Sequence, residues 1–440
     1  MTDYRSYRIA FDEKELLVDR KLGSLRKDFL RDYCGHFNTL TDKQIWQSGL
    51  YRFCHFLPKG ADLHVHCLAC MPVKQTAAWA ASVPGMHIHT GSLPGRGSLR
   101  VFSPGDTIPP EYVPYTGKEI SEEELEKLWS TEGYNGTGSI WEWFETIFDR
   151  HLFATSDDIV LSYYKAVFDY YLSLGIQEVE LRLLPFGTPE VAAQTARAIR
   201  KAYYEAAAAH PGFCVKLIGS GLKYAWIEPS MTESMLRNAA YIHENVKDEL
   251  LGEDFMVAID LVNEEDRSND ISFYAPMLKA ITGEHPSLDM VLHCGESLHP
   301  GSRSMEDAMA LGPRRIGHGY DLYRHPGLEK IIMEKDIPLE VCPVSNMSLK
   351  YISDVREHPA RKYYSQGIPM VLASDDPAFQ EHENMTDDFF IAAAAWEFSL
   401  SDLKRLAFNS IKYCSASPAT KNSLLEEWTK RWNDFVLQNI

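Results

Sequence analysis

The 440-residue chain has no hydrophobic run long enough to cross a bilayer, so a membrane-spanning helix is not expected. It has no block of lysine or arginine. Its 44 basic residues are outnumbered by 62 acidic ones, for a formal charge of −18. That balance excludes nucleic acid and anionic membrane surfaces as expected partners. The first stretch, MTDYRSYRIAFDEKELLVDRK, is charged and lacks the apolar core of a secretory signal, so a cytoplasmic location is expected. Cysteine is sparse. The eight present are scattered, several in apolar strand-like runs, and read as buried or incidental thiols in a reducing compartment rather than a disulfide framework. Apolar residues are not in short supply. At 45% they support a substantial core and argue against disorder.

What is present begins with LPKGADLHVHCLACM, residues 57–71. An apolar run carries His64 and His66 one residue apart, so in an extended strand both rings face the same side. Two same-side imidazoles at a strand end are a start on a metal site. Residues 1–50 read as a helical arm, with Leu16, Leu17, Leu22, Leu25, Phe29 and Leu30 at helical spacing. Having no core of its own, the arm is expected to pack on the main domain, residues 51–440, or on a second copy, making a homodimer. Residues 84–138 are rich in Gly, Pro and Ser and read as the irregular body of an insertion over about 72–139. His87 and His89 repeat the His-x-His pattern there but read as solvated loop histidines. From Ile140, a helix places Ile140, Phe144, Ile147, Phe148 and Leu152 on one face.

A rhythm follows. The short apolar runs GIQEVELRLL, FCVKLIG, FMVAIDLV, DMVLHCG, RRIGHG, IPLEVCP and PMVLASDD alternate with helical stretches. With the first strand they make eight units, the pattern of an α/β (β/α)8 TIM barrel carrying a long insertion after its first strand. In such barrels the chemistry sits at the C-terminal ends of the strands. Those ends carry His64 and His66 on the first strand, His293 and Glu296 on the fifth, His318 on the sixth, and Asp375 and Asp376 on the eighth. Together they supply His and Asp ligands for one divalent ion of the zinc type, plus groups for proton transfer. An ion of that kind makes water nucleophilic near neutral pH. His318 would orient that water, Glu296 would act as general acid, and the reaction would be metal-assisted hydrolysis or hydrolytic deamination.

The motifs HVH, HCGES, RIGHGYDL and SDDP resemble those of the adenosine deaminase group of zinc amidohydrolases. IPLEVCPVSNMSLKYISDVREHP, GIPMVLASDDPAF, WEWFETIF and FNSIKYC…EEWTKRWNDF are similar to the adenosine deaminase-related growth factor branch, from about Phe56 to the C-terminus. The resemblance implies one zinc held by His64, His66, His293 and Asp375, with Glu296 as donor to the purine N1. It implies His318 as base and Asp376 on the N7 side of the ring, and an N-terminal helical dimerisation arm. It also places Trp141, Gly295, Cys67 and Asn263 against the substrate. For Trp143, a core role and a site role are both open.

Members of that branch are typically secreted, with a disulfide in the insertion. This chain has no cysteine between Cys70 and Cys214, so an intracellular relative is expected. Cys67 stands where the branch has an acidic residue for the sugar hydroxyls. Asn263 stands where deaminases have a glycine close to the purine. The expected activity is hydrolytic deamination of adenosine or a related 6-aminopurine, with the altered positions falling on recognition. An amidohydrolase acting on a different amine or amide is the alternative, and a non-catalytic signalling protein is a third reading.

Overall fold

The computed structural model describes residues 9–33, 43–103, 105–151, 156–380 and 383–440. Eight parallel strands pair in chain order: β1 (Gly60–His66), β2 (Ile176–Leu183), β3 (Cys214–Leu222), β4 (Met256–Val262), β5 (Asp289–Cys294), β6 (Arg315–His318), β7 (Leu339–Val341) and β8 (Met370–Leu372). Nearly every residue in them is buried, because one face fills the barrel and the other meets the helices. The ring closes just past the end of β8. Asp375 N–H donates to His64 O at 2.8 Å, and His66 N–H donates to Asp375 O at 3.0 Å. The closing seam therefore runs through candidate site residues.

Helices cover the outside, and their ends are written in the sequence. Thr188 caps the helix Pro189–Ala209, with proline in its first turn, and Ser417 does the same for Pro418–Asn439. Ser399 and Asp402 form a capping box on the helix Leu400–Tyr413. That helix buries Leu403, Leu406, Ala407 and Ile411 against the barrel. Among the described residues, no helix is long and apolar enough to cross a membrane.

The arm is a helix from Glu13 to Asp32, capped by Asp12. Its Val18, Leu22 and Phe29 are buried, and Glu15 is anchored below the surface by Lys404 Nζ at 2.6 Å and Trp432 Nε1 at 2.7 Å. The apolar face is thus covered by the chain's own barrel, while Leu16, Leu17 and Leu30 remain exposed.

The insertion differs from expectation, for it is not irregular. A helix Val73–Ser82 leads into three short antiparallel strands, Met86–His89, Leu99–Val101 and Tyr112–Pro114, and then a helix Glu122–Trp129. Side chains bind it together: Trp129 Nε1 donates to Gly97 O at 2.8 Å, and Arg96 pairs with Glu124 at 2.5 Å. His87 bonds Gly85 O at 2.9 Å and His89 packs edge-on against Tyr112, so both are structural in this sheet. The helix Ile140–Arg150 follows, and Leu152 lies outside the described residues.

Candidate active site

Alternation along β1 sends His64 and His66 inward at the barrel mouth, where His293 of β5, His318 of β6 and Asp375 beyond β8 join them. Asp375 Oδ1 lies 3.3 Å from His64 Nε2 and 3.2 Å from His66 Nε2. His66 Nε2 lies 3.3 Å from His293 Nε2, and His318 Nε2 lies 3.9 Å from Asp375 Oδ2. The remaining nitrogens explain the orientation. His64 Nδ1 donates to Glu340 Oε2 at 2.8 Å and His293 Nδ1 donates to Asp260 Oδ2 at 2.7 Å. Each carboxylate fixes the tautomer and leaves an Nε2 lone pair aimed at the centre. His64 Nε2 is buried without a hydrogen bond. Lone pairs and a carboxylate converging in a dry site repel one another, and a divalent cation among them removes that repulsion. The donor set therefore fits a metal ion: His64, His293, His318 and Asp375 each offer a ligand atom within 4.8 Å of the others, and His66 forms a second group with Asp375 and Asp376.

The orienting carboxylates belong to a buried charge network inside the barrel. Arg182 on β2 donates from Nε to Asp260 Oδ2 at 2.9 Å and from Nη2 to Glu340 Oε2 at 2.5 Å. Arg315 on β6 donates from Nε to Glu340 Oε1 and from Nη2 to Glu180 Oε2, each at 2.5 Å. The two guanidinium groups hold the Glu340 carboxyl well below the usual carboxylate range against the opposing effect of burial. None of these five side chains was singled out from the sequence. The available signal was a charged residue inside an otherwise apolar run: VELRLL, AIDLV, RIGHG and PLEV each carry at least one.

Three groups beside the cluster have displaced titration. Burial, with Asp375 nearby, pushes the Glu296 carboxyl well above its ordinary value, and Asn346 Nδ2 donates to its Oε1 at 3.3 Å. Burial pulls His318 down to about 3, leaving a neutral ring whose Nδ1 is 3.5 Å from Glu296 Oε1. Burial and Asp375 push Asp376 well up, and its Oδ1 has no hydrogen-bond partner. His318 and Asp375 both sit in left-handed backbone, φ 64° and 61°. Gly317 leaves room for the His64 ring: a Cβ there would lie 3.1 Å from its Cε1.

A cavity of about 510 Å³ opens over this floor. His66, His293, Glu296, His318, Asp375 and Asp376 line it, as do Cys67, Asn263 and Trp141 among the expected recognition residues. Asn263 is held at φ 97° with its Oδ1 buried and unpartnered. Trp141 Nε1 donates to Tyr351 Oη at 3.2 Å. Two residues sit elsewhere. Trp143 donates from Nε1 to Ser130 O at 2.9 Å and stacks under Arg150, locking the insertion to its helix. Gly295 is not part of the cavity lining: its N–H donates to Ser304 Oγ at 2.9 Å, and a Cβ would strike Asp321 and Met305 at 2.7 Å. Against the reading of the cysteines as scattered, Cys67 and Cys70 form a C-x-x-C pair; both are buried, and the Cys70 thiol donates to His66 O.

A sequence model of the family described as adenosine deaminase matches residues 140–431. Adenosine deaminase 2 of Sus scrofa is 32% identical over 328 residues, covering 70% of this chain and 61% of that protein. Adenosine deaminase 2 of Homo sapiens is 32% identical over 330 residues, covering 69% and 60%. In these alignments the chain thus spans about six tenths of each relative's length. Adenosine deaminase 2-A of Danio rerio is 26% identical over 98% of this chain and 91% of that one. Among solved structures, the N6-methyl-AMP deaminase of Arabidopsis thaliana superposes with a TM-score of 0.63 at 17% identity, over 86% of this chain and 98% of that one. A zinc-bound amidohydrolase of Burkholderia ambifaria gives 0.64 at 18%, over 89% and 94%. These structural likenesses establish the barrel fold.

Proposed function

This chain belongs to the adenosine deaminase family, a family of hydrolytic enzymes acting on C–N bonds, and we propose that it removes the 6-amino group of adenosine or a related 6-aminopurine nucleoside, using one zinc ion per chain. The observation that carries this reading is the meeting of ligand-type atoms of His64, His293, His318 and Asp375, with His66 joining through Asp375, beside the Glu296 carboxyl that burial pushes well above its ordinary range. His64, His66, His293 and Asp375 would hold the ion, which when bound would supply a Lewis acid able to make water nucleophilic near neutral pH. Glu296 donates its proton to the ring nitrogen adjoining the attacked carbon, so that negative charge does not build up on the ring. His318, neutral at physiological pH, accepts a hydrogen bond from the attacking water and orients it. Asp376 meets the opposite edge of the ring. The amine then departs as ammonia.

The similar folds add support, since the Arabidopsis neighbour is an N6-methyl-AMP deaminase and another, from Arthrobacter aurescens, is an adenine deaminase. Ammonia release from a panel of adenine nucleosides, bases and nucleotides by zinc-replete protein tests the reading. Stoichiometric ammonia and the 6-oxo product support it, and no release from any 6-aminopurine overturns it. We further place the protein in the cytoplasm, because its seven described cysteines are free and buried, as suits a reducing compartment. Self-association is proposed through the exposed Leu16, Leu17 and Leu30, read by solution mass before and after their replacement by serine.

A further inference from the structure

The upper part of the cavity differs in chemistry from its floor. Away from the cluster the walls are Leu68, Phe148, Val160, Leu184, Phe186 and Val191. Tyr163 and Tyr164 add ring surface rather than hydroxyls, since these donate to Leu68 O at 3.1 Å and to Cys67 O at 2.8 Å. At the mouth Phe186, Val191 and Trp226 remain 41%, 50% and 55% exposed, so an apolar surface continues outward from the cavity.

The described lining contains no lysine or arginine, while Glu145 and Asp149 contribute acidic groups. Arg267 lies over the Tyr224 and Trp226 rings, but its guanidinium is engaged by Glu264, by Glu145 at 2.8 Å and by Glu142 at 3.5 Å. A phosphate brought here would meet carboxylates without a free counter-charge. The lobe's polar groups are Thr195, Tyr224 Oη, Glu145 and Asp149, so a hydroxyl turned away from them onto the Leu68, Val160, Leu184 and Val191 surface would lose its water and gain no partner there, a penalty of about 5- to 150-fold in affinity.

Resting on the deaminase reading, the geometry fixes which part of the substrate meets these walls. The carbon bearing the amine has to lie between the His/Asp cluster and Glu296 on the floor, so the sugar projects into the upper lobe and its 5′ end reaches the mouth. We infer that the preferred substrate is an uncharged 6-aminopurine nucleoside whose 5′ position carries an apolar group, such as an alkyl or alkylthio substituent, and that 5′-phosphorylated nucleotides are rejected.

The experiment compares kcat/KM of the zinc-replete full chain on adenosine, 5′-deoxyadenosine, 5′-methylthio-5′-deoxyadenosine and AMP. The expected order is methylthio, deoxy, adenosine and then AMP, with at least about tenfold between the first and adenosine, as one unpartnered hydroxyl predicts. Val191→Ser and Phe186→Ser should each narrow the ratio between methylthio and hydroxyl substrates. Adenosine or AMP as best substrate overturns this inference and leaves the deaminase reading standing. If no 6-aminopurine is turned over, the deaminase reading falls, and calorimetric binding still decides the lobe. Tighter binding of 5′-methylthio-5′-deoxyinosine than of inosine, by about tenfold, supports it, whereas equal or weaker binding overturns it.

Discussion

Glu340→Gln removes one negative charge from the middle of the barrel while keeping the side chain's size, and the structure indicates what should follow. The carboxylate accepts from Arg182 and Arg315 at 2.5 Å each and from His64 Nδ1 at 2.8 Å, and all four side chains are fully buried. Breaking a buried ion pair from one side costs about 3–5 kcal/mol, because the remaining charge is left in a dry site. Here both arginines keep a second carboxylate: Asp260 for Arg182 and Glu180 for Arg315. The cost should therefore fall near the lower end, about 3 kcal/mol. The same substitution loosens the His64 ring, and outer-shell changes of this kind typically weaken metal binding about 10- to 100-fold. Bound metal also stabilises the folded state by mass action, so the two effects have to be separated. Urea unfolding of chelated protein reads the charge network alone, and competition against a chromophoric chelator reads the metal. An unchanged unfolding midpoint in chelated protein, with zinc affinity within about twofold of the parent, would refute the network as the support of the site.

Three further expectations concern single side chains. Glu296→Gln should keep fold and metal yet lose about 10²- to 10⁴-fold in turnover, as removal of a general acid does; a loss under about tenfold in steady-state ammonia release would assign the proton to another group. Asn263→Gly removes an unpartnered acceptor just past β4, in the cavity that Glu296 also lines and where position 2 of the proposed ring is expected. The kcat/KM ratio of 2,6-diaminopurine riboside to adenosine should fall by about 5- to 150-fold, and an unchanged ratio would remove Asn263 from recognition. Burial pulls the Lys59 ammonium down to about 8, although it donates to three backbone carbonyls. The unfolded chain, with a lysine pKa near 10.4, then binds more protons than the folded one above pH 8, so this residue makes stability rise with pH. The stability difference between parent and Lys59→Met, measured by thermal unfolding from pH 7.5 to 9.5, should shift toward the parent as pH rises; a constant difference contradicts the assignment.

The barrel was legible because parallel strands buried on both faces appear as apolar runs, and the helices between them carry caps at their starts. The floor was legible for a related reason. His64, His66, His293 and His318 lie within those runs, and Asp375 just past one, where few other roles exist for so many histidines. Pairing across the barrel was not legible. That Glu340 on β7 reaches His64 on β1 and Arg182 on β2 depends on relative strand height, which no local pattern reports. The insertion was misread for a simpler cause. Its strands are three or four residues long, too short to display alternation among the surrounding glycines and prolines. The resemblance places Gly295 against the substrate, whereas in the structure its N–H donates to Ser304 Oγ, nine residues on, and it lies off the cavity lining.

Backbone strain separates the parts of this site that the scaffold enforces from those left to specificity. His318, Asp375 and Asn263 are all non-glycine residues at positive φ, each costing on the order of 1 kcal/mol or more. Asp375 is clamped on both sides by its bonds to His64 O and His66 N across the closing seam. His318 is followed by Gly319, whose N–H donates to Cys294 O of the neighbouring strand. In both cases the sheet holds the strained residue in place, and the side chain it aims belongs to the floor. Asn263 is held at a higher φ, and its Oδ1 bonds to nothing among the described residues. A glycine would adopt that conformation freely, so packing does not account for the asparagine. We propose that the cavity it faces accounts for it: an acceptor is kept there, at a cost in backbone energy, for the substrate. The same division places Cys67 and the apolar walls with Asn263, as the positions where substrate choice can change while the floor stays as it is.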